Sequence, residues 1–235
     1  MGFNFKEFSV KDERSSMKVG TDAVLLGAWA DLTGCNRILE IGAGCGVISL
    51  MLAQRSQAMI CSIDIHHGSV EDARSNFHDS PWSDRLIARE MSLRQFYDSD
   101  PGKFDLIVSN PPFFSNSLKS PHHHRNLSRH DDHLGIPELF HYAKLLLSQN
   151  GRISLIIPAS EIHNTEQQAR VHDLPLIRRT EVIMRVGKPI SRVMCEFGRI
   201  PLPAPALSCL HVRDTENHYT GEYKELTGAF YLHLK

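Results

Sequence analysis

The chain has 235 residues, 26 Lys or Arg against 27 Asp or Glu, a formal net charge of −1 and 41% apolar residues. That length suits one core of roughly 150–235 residues, and the balance excludes a disordered tail or a polybasic chain that coats nucleic acid by charge alone. The longest nearly apolar stretch, Cys45 to Ala53, is nine residues, whereas a bilayer-spanning helix needs about twenty.

Met1 to Ser16 is rich in Lys, Asp and Glu and lacks the apolar run of a signal peptide. Gly2 follows Met1, but Lys6 stands where a myristoylation signal has Ser or Thr. Thr21 and Asp22 are N-cap residue types ahead of the apolar Ala23 to Ala30, which predicts a first helix. Short β-rich runs follow at Arg37 to Ile41, Met59 to Ile65, Arg85 to Arg89, Phe104 to Ser109 and Arg152 to Ile157, each closed by Gly, Pro, Asn or an acid. Between them lie helically spaced residues: Val47, Leu50, Met51 and Gln54; Val70, Ala73, Arg74 and Phe77; Leu139, Tyr142, Ala143, Leu146 and Leu147. Strands alternating with helices predict βαβ units and a doubly wound α/β fold, a mostly parallel sheet with helices on both faces. After Asp173 the rhythm changes. Leu176 to Val186 and Arg192 to Ile200, joined by Gly187 to Ser191, predict an antiparallel hairpin at the sheet edge. Pro201 to Pro205 is expected as a linker or edge strap, and Tyr219 to Leu232 as a closing helix.

The five cysteines (35, 45, 61, 195, 209) are odd in number and form no C-x-x-C pair, which favours reduced thiols and a cytoplasmic setting over disulfides or a zinc cluster. Among fourteen histidines, His122 to His124 are adjacent and cannot all face one metal on regular structure. No metal site is expected, and the cluster's role is charge that rises as pH falls.

Two constellations carry chemistry. Glu40-Ile41-Gly42-Ala43-Gly44-Cys45-Gly46 stands where the first strand meets its helix, the place where doubly wound sheets bind ligands. Glycines there let the backbone turn sharply and lie against a ligand. The dinucleotide pattern G-x-G-x-x-G fails at Val47, and an acid two residues before Gly42 suits a cationic ligand better than a pyrophosphate. Asp64, eighteen residues after Gly46, ends the second strand and can accept both hydroxyls of a ribose. Together these fit S-adenosylmethionine; the plainer alternative is a tight turn with a helix-capping Asp.

The second constellation, Asn110-Pro111-Pro112-Phe113, closes the fourth strand on the same sheet edge. An Asn side-chain oxygen and a rigidly held Pro111 carbonyl can accept both hydrogens of a planar exocyclic amine, turning its lone pair toward a methyl donor. Phe113 offers a ring face for a base, where stacking is worth about 1–3 kcal/mol. Chance alone yields such a tetrapeptide in a chain this long roughly one time in a hundred.

Glu40 to Gly46, Asp64 and Asn110 to Phe113 resemble the class I, amino-methylating, S-adenosylmethionine-dependent methyltransferases. More narrowly, Met17 to Trp29 and Tyr219 to Leu232 resemble the two end segments of the bacterial tRNA(Val) adenine-N6 methyltransferase family. The resemblance implies a Rossmann-like sheet of seven strands, one methyltransferase domain over 1–235 with an extension at 1–20 and a strap and helix at 201–235, and N6-methylation of adenine 37 beside the anticodon. It implies that Thr21 and Asp22 help close the cofactor pocket and that Arg125, Arg129 and His130 lie on a substrate-facing loop. Ser92 stands where such enzymes commonly carry the acid that meets the cofactor's adenine amine, so Ser92 or the backbone must serve.

From Arg170 to Arg199 there are seven Lys or Arg against three acids. Arg178, Arg179, Arg185, Lys188 and Arg192 fall on the predicted hairpin, and this strip either tracks the phosphates of the tRNA anticodon loop or forms the wet, charged face of an edge hairpin. A monomer without membrane association is expected. The alternatives are N5-methylation of a protein glutamine, which shares the Asn-Pro-Pro-aromatic motif, another rRNA or DNA amino-methyltransferase, and a cofactor-binding RNA chaperone without turnover. The glutamine enzymes usually carry a helical module before the catalytic domain, and only about twenty residues precede the first core helix here.

Overall fold

The computed structural model describes residues 2–112 and 134–234. The chain opens with a small antiparallel ribbon, β1 (Phe3–Asn4) and β2 (Ser9–Val10). It continues through α1 (Thr21–Trp29), β3 (Arg37–Ile41), α2 (Val47–Arg55), β4 (Met59–Asp64), α3 (His67–His78), β5 (Leu86–Glu90), α4 (Leu93–Asp98) and β6 (Phe104–Ser109). Beyond residue 134 come α5 (Ile136–Leu146), β7 (Leu147–Pro158), α6 (Ile162–Val171), β8 (Leu176–Ile183), β9 (Arg192–Gly198), β10 (Ala206–His211) and α7 (Gly221–Thr227). The expected α/β alternation and the antiparallel hairpin are both present.

The main sheet has the order β10-β8-β9-β7-β6-β3-β4-β5. Only β9 runs against the rest, antiparallel to both β7 and β8, while β10 returns parallel to β8. The sheet thus has eight strands where seven were expected, because the Pro-rich segment feeds a further strand rather than acting as a strap. Four of the six β10 residues, Ala206 to Cys209, are exposed, so this edge strand lacks the apolar alternation by which strands are recognised. Likewise Thr21 and Asp22 are the first residues of α1 and not its caps: the N-cap is Gly20, without a side-chain bond. The closing helix is confined to Gly221–Thr227.

Central strands have both faces covered, and their residues alternate between two apolar clusters. Ile38, Leu106 and Val108 pack toward α1, α2, α3 and α7; Leu39, Phe104 and Ile107 pack toward α4, α5 and α6. The chain winds outward from β3 through β4 to β5, then crosses back to build β6 and β7 on the other side. The switch in strand order therefore falls between β3 and β6, and the crevice above their carboxyl ends is where an open α/β sheet binds ligands.

The polar N-terminal segment is strapped down by backbone bonds. The buried Asp72 carboxylate on α3 accepts the amides of Arg14 and Ser15, each at 2.8 Å. Asn76 accepts the Lys11 amide (2.9 Å) and donates to the carbonyls of Lys11 (2.7 Å) and Cys45 (2.9 Å). Phe5 and Phe8 stack at 4.6 Å inside the first cluster. Asn76→Ala should cost about 2–4 kcal/mol, since it strips partners from buried backbone groups. A urea midpoint near wild type, with no added proteolysis in residues 11–19, would contradict that role.

Candidate active site

The site begins with backbone geometry. Gly42, Gly44 and Gly46 all adopt left-handed conformations, with φ of 77°, 52° and 80°, a region that L side chains with a Cβ enter at a cost of about 1–2 kcal/mol. A Cβ on Gly46, the N-cap of α2, would also lie 2.5 Å from the Phe77 ring. At Gly42, by contrast, a Cβ would meet no protein atom, and its place is open cavity. The turn is tied to the neighbouring strand: Gly42 and Ala43 donate to the Ile63 carbonyl at 2.9 and 3.0 Å, and Gly44 donates to Asp64 Oδ2 at 2.8 Å. Asp64 Oδ1 accepts the His66 amide at 2.8 Å. Two backbone donors thus fix the carboxylate's orientation and leave lone pairs for a ligand.

The second motif sits beside the first. Ile41 pairs with Ser109 across β3 and β6, and the Ser109 hydroxyl donates to the Ile41 carbonyl at 2.7 Å. Gly42 and Asn110 are each one residue beyond that pair. Asn110 is half-buried, Pro111 buried and Pro112 exposed. The cavity, about 860 Å³, runs past Gly42, Asp64, Ser92, Asn110 and Pro112, a size suited to a small-molecule cofactor with part of a substrate.

Thr21 and Asp22 line this cavity, as the resemblance implies. Ser92 lines it too, but its hydroxyl accepts the Gln95 amide (3.2 Å) and its own amide is held by Gln95 Oε1 (2.9 Å), a capping box for α4. One lone pair and the hydroxyl hydrogen remain for a ligand. Two of the expected cofactor residues are not on the cavity wall: Gly46, whose Cβ position is filled by Phe77 and Ala73, and Glu40. Glu40 is 1% exposed beneath the turn, bonded to the Ser49 amide (3.2 Å) and hydroxyl and to the Ser62 hydroxyl (3.4 Å). Burial pushes its carboxyl up to about 8, against the lowering effect of the Ser49 and Ser62 bonds, and nearby Asp64 adds to the rise.

Phe113, Arg125, Arg129, His130 and the cluster His122 to His124 lie outside the described residues. Arg178 and Arg179 are described, and their charge is engaged within the fold. The Arg178 guanidinium stacks 3.6 Å from the Trp29 ring centre and pairs with buried Glu196 at 3.4 Å. Arg179 pairs with Glu166 (3.2 Å) and Glu181 (3.3 Å). Both lie five or six residues below Met184, which touches the cavity, roughly 17–20 Å along the strand.

Residues not expected at the site also wall it: Met17, Lys18, Leu93, Glu138, Met184 and, from the hairpin's basic strip, Arg192. Met17 and Lys18 fall within the segment carrying the family resemblance, a usable signal. Arg192 was legible as a hairpin cation but not as part of the site, because its partner Asp22 (Nε to Oδ2, 2.7 Å) is 170 residues away. Among the described residues no group of three His, Cys, Asp or Glu is placed to hold a metal, and no helix is long and apolar enough to cross a membrane.

Residues 16–172 match the family described as methyltransferase small domain. A solved structure described as a predicted O-methyltransferase from Agrobacterium tumefaciens is similar with a TM-score of 0.70, covering 89% of this chain and 96% of that one at 19% identity. That likeness speaks for the fold, which is the fold of class I methyltransferases, enzymes that use S-adenosylmethionine. Sequence relatives are more specific. The tRNA1(Val) (adenine(37)-N6)-methyltransferase of Parabacteroides distasonis is 39% identical over 232 residues, 99% of this chain and 98% of that protein; its namesake from Phocaeicola vulgatus is 40% identical over the same shares. This chain belongs to that tRNA1(Val) (adenine(37)-N6)-methyltransferase family.

A carboxyl raised by burial contributes its stability below its unfolded value near 4.5 and loses it as pH rises through about 8. Glu40→Gln keeps an acceptor for Ser49 and removes the titration. Its melting temperature should fall less than that of wild type between pH 6 and 9; parallel declines would refute the buried-acid account.

Proposed function

We propose that the chain transfers the methyl group of S-adenosylmethionine to the N6 amino group of adenine 37 in tRNA1(Val), with 1–235 acting as one catalytic unit. The observation carrying this reading is the Ile41–Ser109 pairing, which sets the glycine turn and Asn110 side by side on one cavity. The residues suit the cofactor: an open space where Gly42 lacks a Cβ, a carboxylate at Asp64 aimed by two backbone amides, and apolar Leu93 and exposed Ile65 on the same wall.

S-adenosylmethionine, when bound, supplies an electrophilic methyl carbon on a sulfonium. Asp64 accepts the ribose hydroxyls in charge-assisted bonds. Ser92 keeps one lone pair for the adenine amine, and Thr21 and Asp22 close the cavity from the side of α1. Glu40 acts under the turn, as an acceptor for the first turn of α2. Asn110 and the Pro111 carbonyl accept the two hydrogens of the target amine and direct its lone pair. No strong base is needed, since the alkylated nitrogen loses its proton readily. Alignment supplies most of the rate, and holding two reactants in place is worth about 7–11 kcal/mol. The family resemblance assigns base stacking to Phe113 and RNA binding to Arg125, Arg129 and His130.

Asn110→Ala should lower turnover at least tenfold while calorimetry finds S-adenosylmethionine binding near wild type; undiminished turnover removes the amine contact. Asp64→Ala should weaken cofactor binding at least tenfold, and Asp64→Asn, which retains an acceptor for the Gly44 amide, by less. Equal dissociation constants for all three proteins would end the ribose assignment. The function itself is tested by mass spectrometry of nucleosides from tRNA lacking the modification, incubated with enzyme and labelled S-adenosylmethionine: labelled N6-methyladenosine is expected, and its absence overturns the reading.

A further inference from the structure

The turn between β8 and β9 has a composition found nowhere else on the described surface of the hairpin. Residues 184–190, Met-Arg-Val-Gly-Lys-Pro-Ile, are all exposed, with Met184 at 37%, Val186 at 39% and Ile190 at 37%. From Met184 to Arg192 there are three cations and no acid. The turn borders the active site, because Met184, Ser191 and Arg192 line the cavity.

The three cations are not equivalent. Arg192 is compensated by Asp22 at 2.7 Å and donates to the Ser191 carbonyl at 3.0 Å. Arg185 donates to the Thr215 carbonyl, a neutral partner, and among the described residues no carboxylate pairs with it. The acids flanking Thr215, Asp214 and Glu216, lie 3.8 and 3.7 Å from His218. The Lys188 ammonium has no partner among the described residues. A bond from the Lys188 amide to the Arg185 carbonyl (3.0 Å) and a left-handed Gly187 (φ 81°) close the turn, so two uncompensated cations share one turn with two exposed apolar side chains, Val186 and Ile190.

Single-stranded RNA presents both complements, phosphates for the cations and unstacked base faces for the apolar groups. We propose that the β8–β9 turn docks the RNA loop that carries the target base, with Arg185 and Lys188 on its phosphates and Val186 and Ile190 against bases next to the one entering the cavity. The assignment rests on the tRNA reading above and narrows the hairpin's basic strip to Arg185 and Lys188, because Arg178, Arg179 and Arg192 are each paired with an acid. It also answers an energetic need. The target base must leave its stack, which costs a few kcal/mol, and apolar side chains set against neighbouring bases offset that cost.

The test compares wild type, the double variant Arg185→Gln/Lys188→Gln and the single variant Val186→Ser in binding bulk tRNA across a salt series, with S-adenosylmethionine affinity measured in parallel. Each lost phosphate contact flattens the plot of log affinity against log salt by about 0.7–0.9. The double variant should therefore lose about 1.4–1.8 from the slope and at least tenfold in affinity at low salt, with cofactor affinity unchanged. Val186→Ser should weaken binding without altering the slope; a neutral result removes the apolar half of the proposal. If the double variant keeps the wild-type slope and affinity while wild type forms N6-methyladenosine, the docking surface is wrong and the function stands. If the double variant loses slope and affinity but wild type forms no N6-methyladenosine, the surface stands and the enzymatic reading falls.

Discussion

The structure depends on a backbone that turns left-handed three times in five residues and is held there by the adjacent strand. Gly42, Gly44 and Gly46 supply the conformation; the Ile63 carbonyl and the Asp64 carboxylate supply the tether. Because Asp64 both receives the Gly44 amide and faces the cavity, the group assigned to the ribose is the group that holds the loop. The glycine turn and the acid are one unit built on two strands. Its reach extends further, since Asn76 binds the Cys45 carbonyl and the Lys11 backbone together and so brings the N-terminal segment over the site.

Positioning is also what the chemistry requires. An exocyclic amine is a weak nucleophile, and nothing in its methylation calls for a strong base, so the protein's contribution is to fix two reacting groups at one place. In the proposed mechanism, pairing of β3 with β6 does this with little freedom. One ladder position separates the Ile41–Ser109 pair from both Gly42 and Asn110, and the prolines that follow keep the chain from continuing the ladder. Even the buried Glu40 fits this picture, for it stiffens the start of α2 from below.

Charge on this protein is spent in two ways. The network of Arg152, Arg178, Glu196 and Asp31 joins β7, β8 and β9 to the residues just after α1, and stacking of Arg178 on Trp29 adds a cation–π contact. Such pairs give shape, not a field. A net charge near zero is therefore compatible with an anionic partner only where cations are left uncompensated, and on the hairpin those are at the turn beside the cavity.

The sequence by itself determined the sheet's interior and the two motifs. β3 and β6 have the expected bounds, because a central parallel strand is buried on both faces and reads as a mostly apolar run, and Gly42, Asp64 and Asn110 each stand at a strand tip where the spacing put them. End segments such as Met17 to Trp29 carried the family assignment through their residue order, without needing any geometry. Edge elements were less legible: β10 exposes most of its residues, and α4 has only six. The roles of charged side chains lay wholly beyond the sequence. Glu40 was expected to face a ligand and lies under the turn; Arg178 and Arg179 were expected to face RNA and close ion pairs inward. Only the tertiary structure decided these, because which way a side chain points and whether its charge is already matched depend on partners such as Glu196, Trp29 and Ser49, brought close by folding and not by position in the chain.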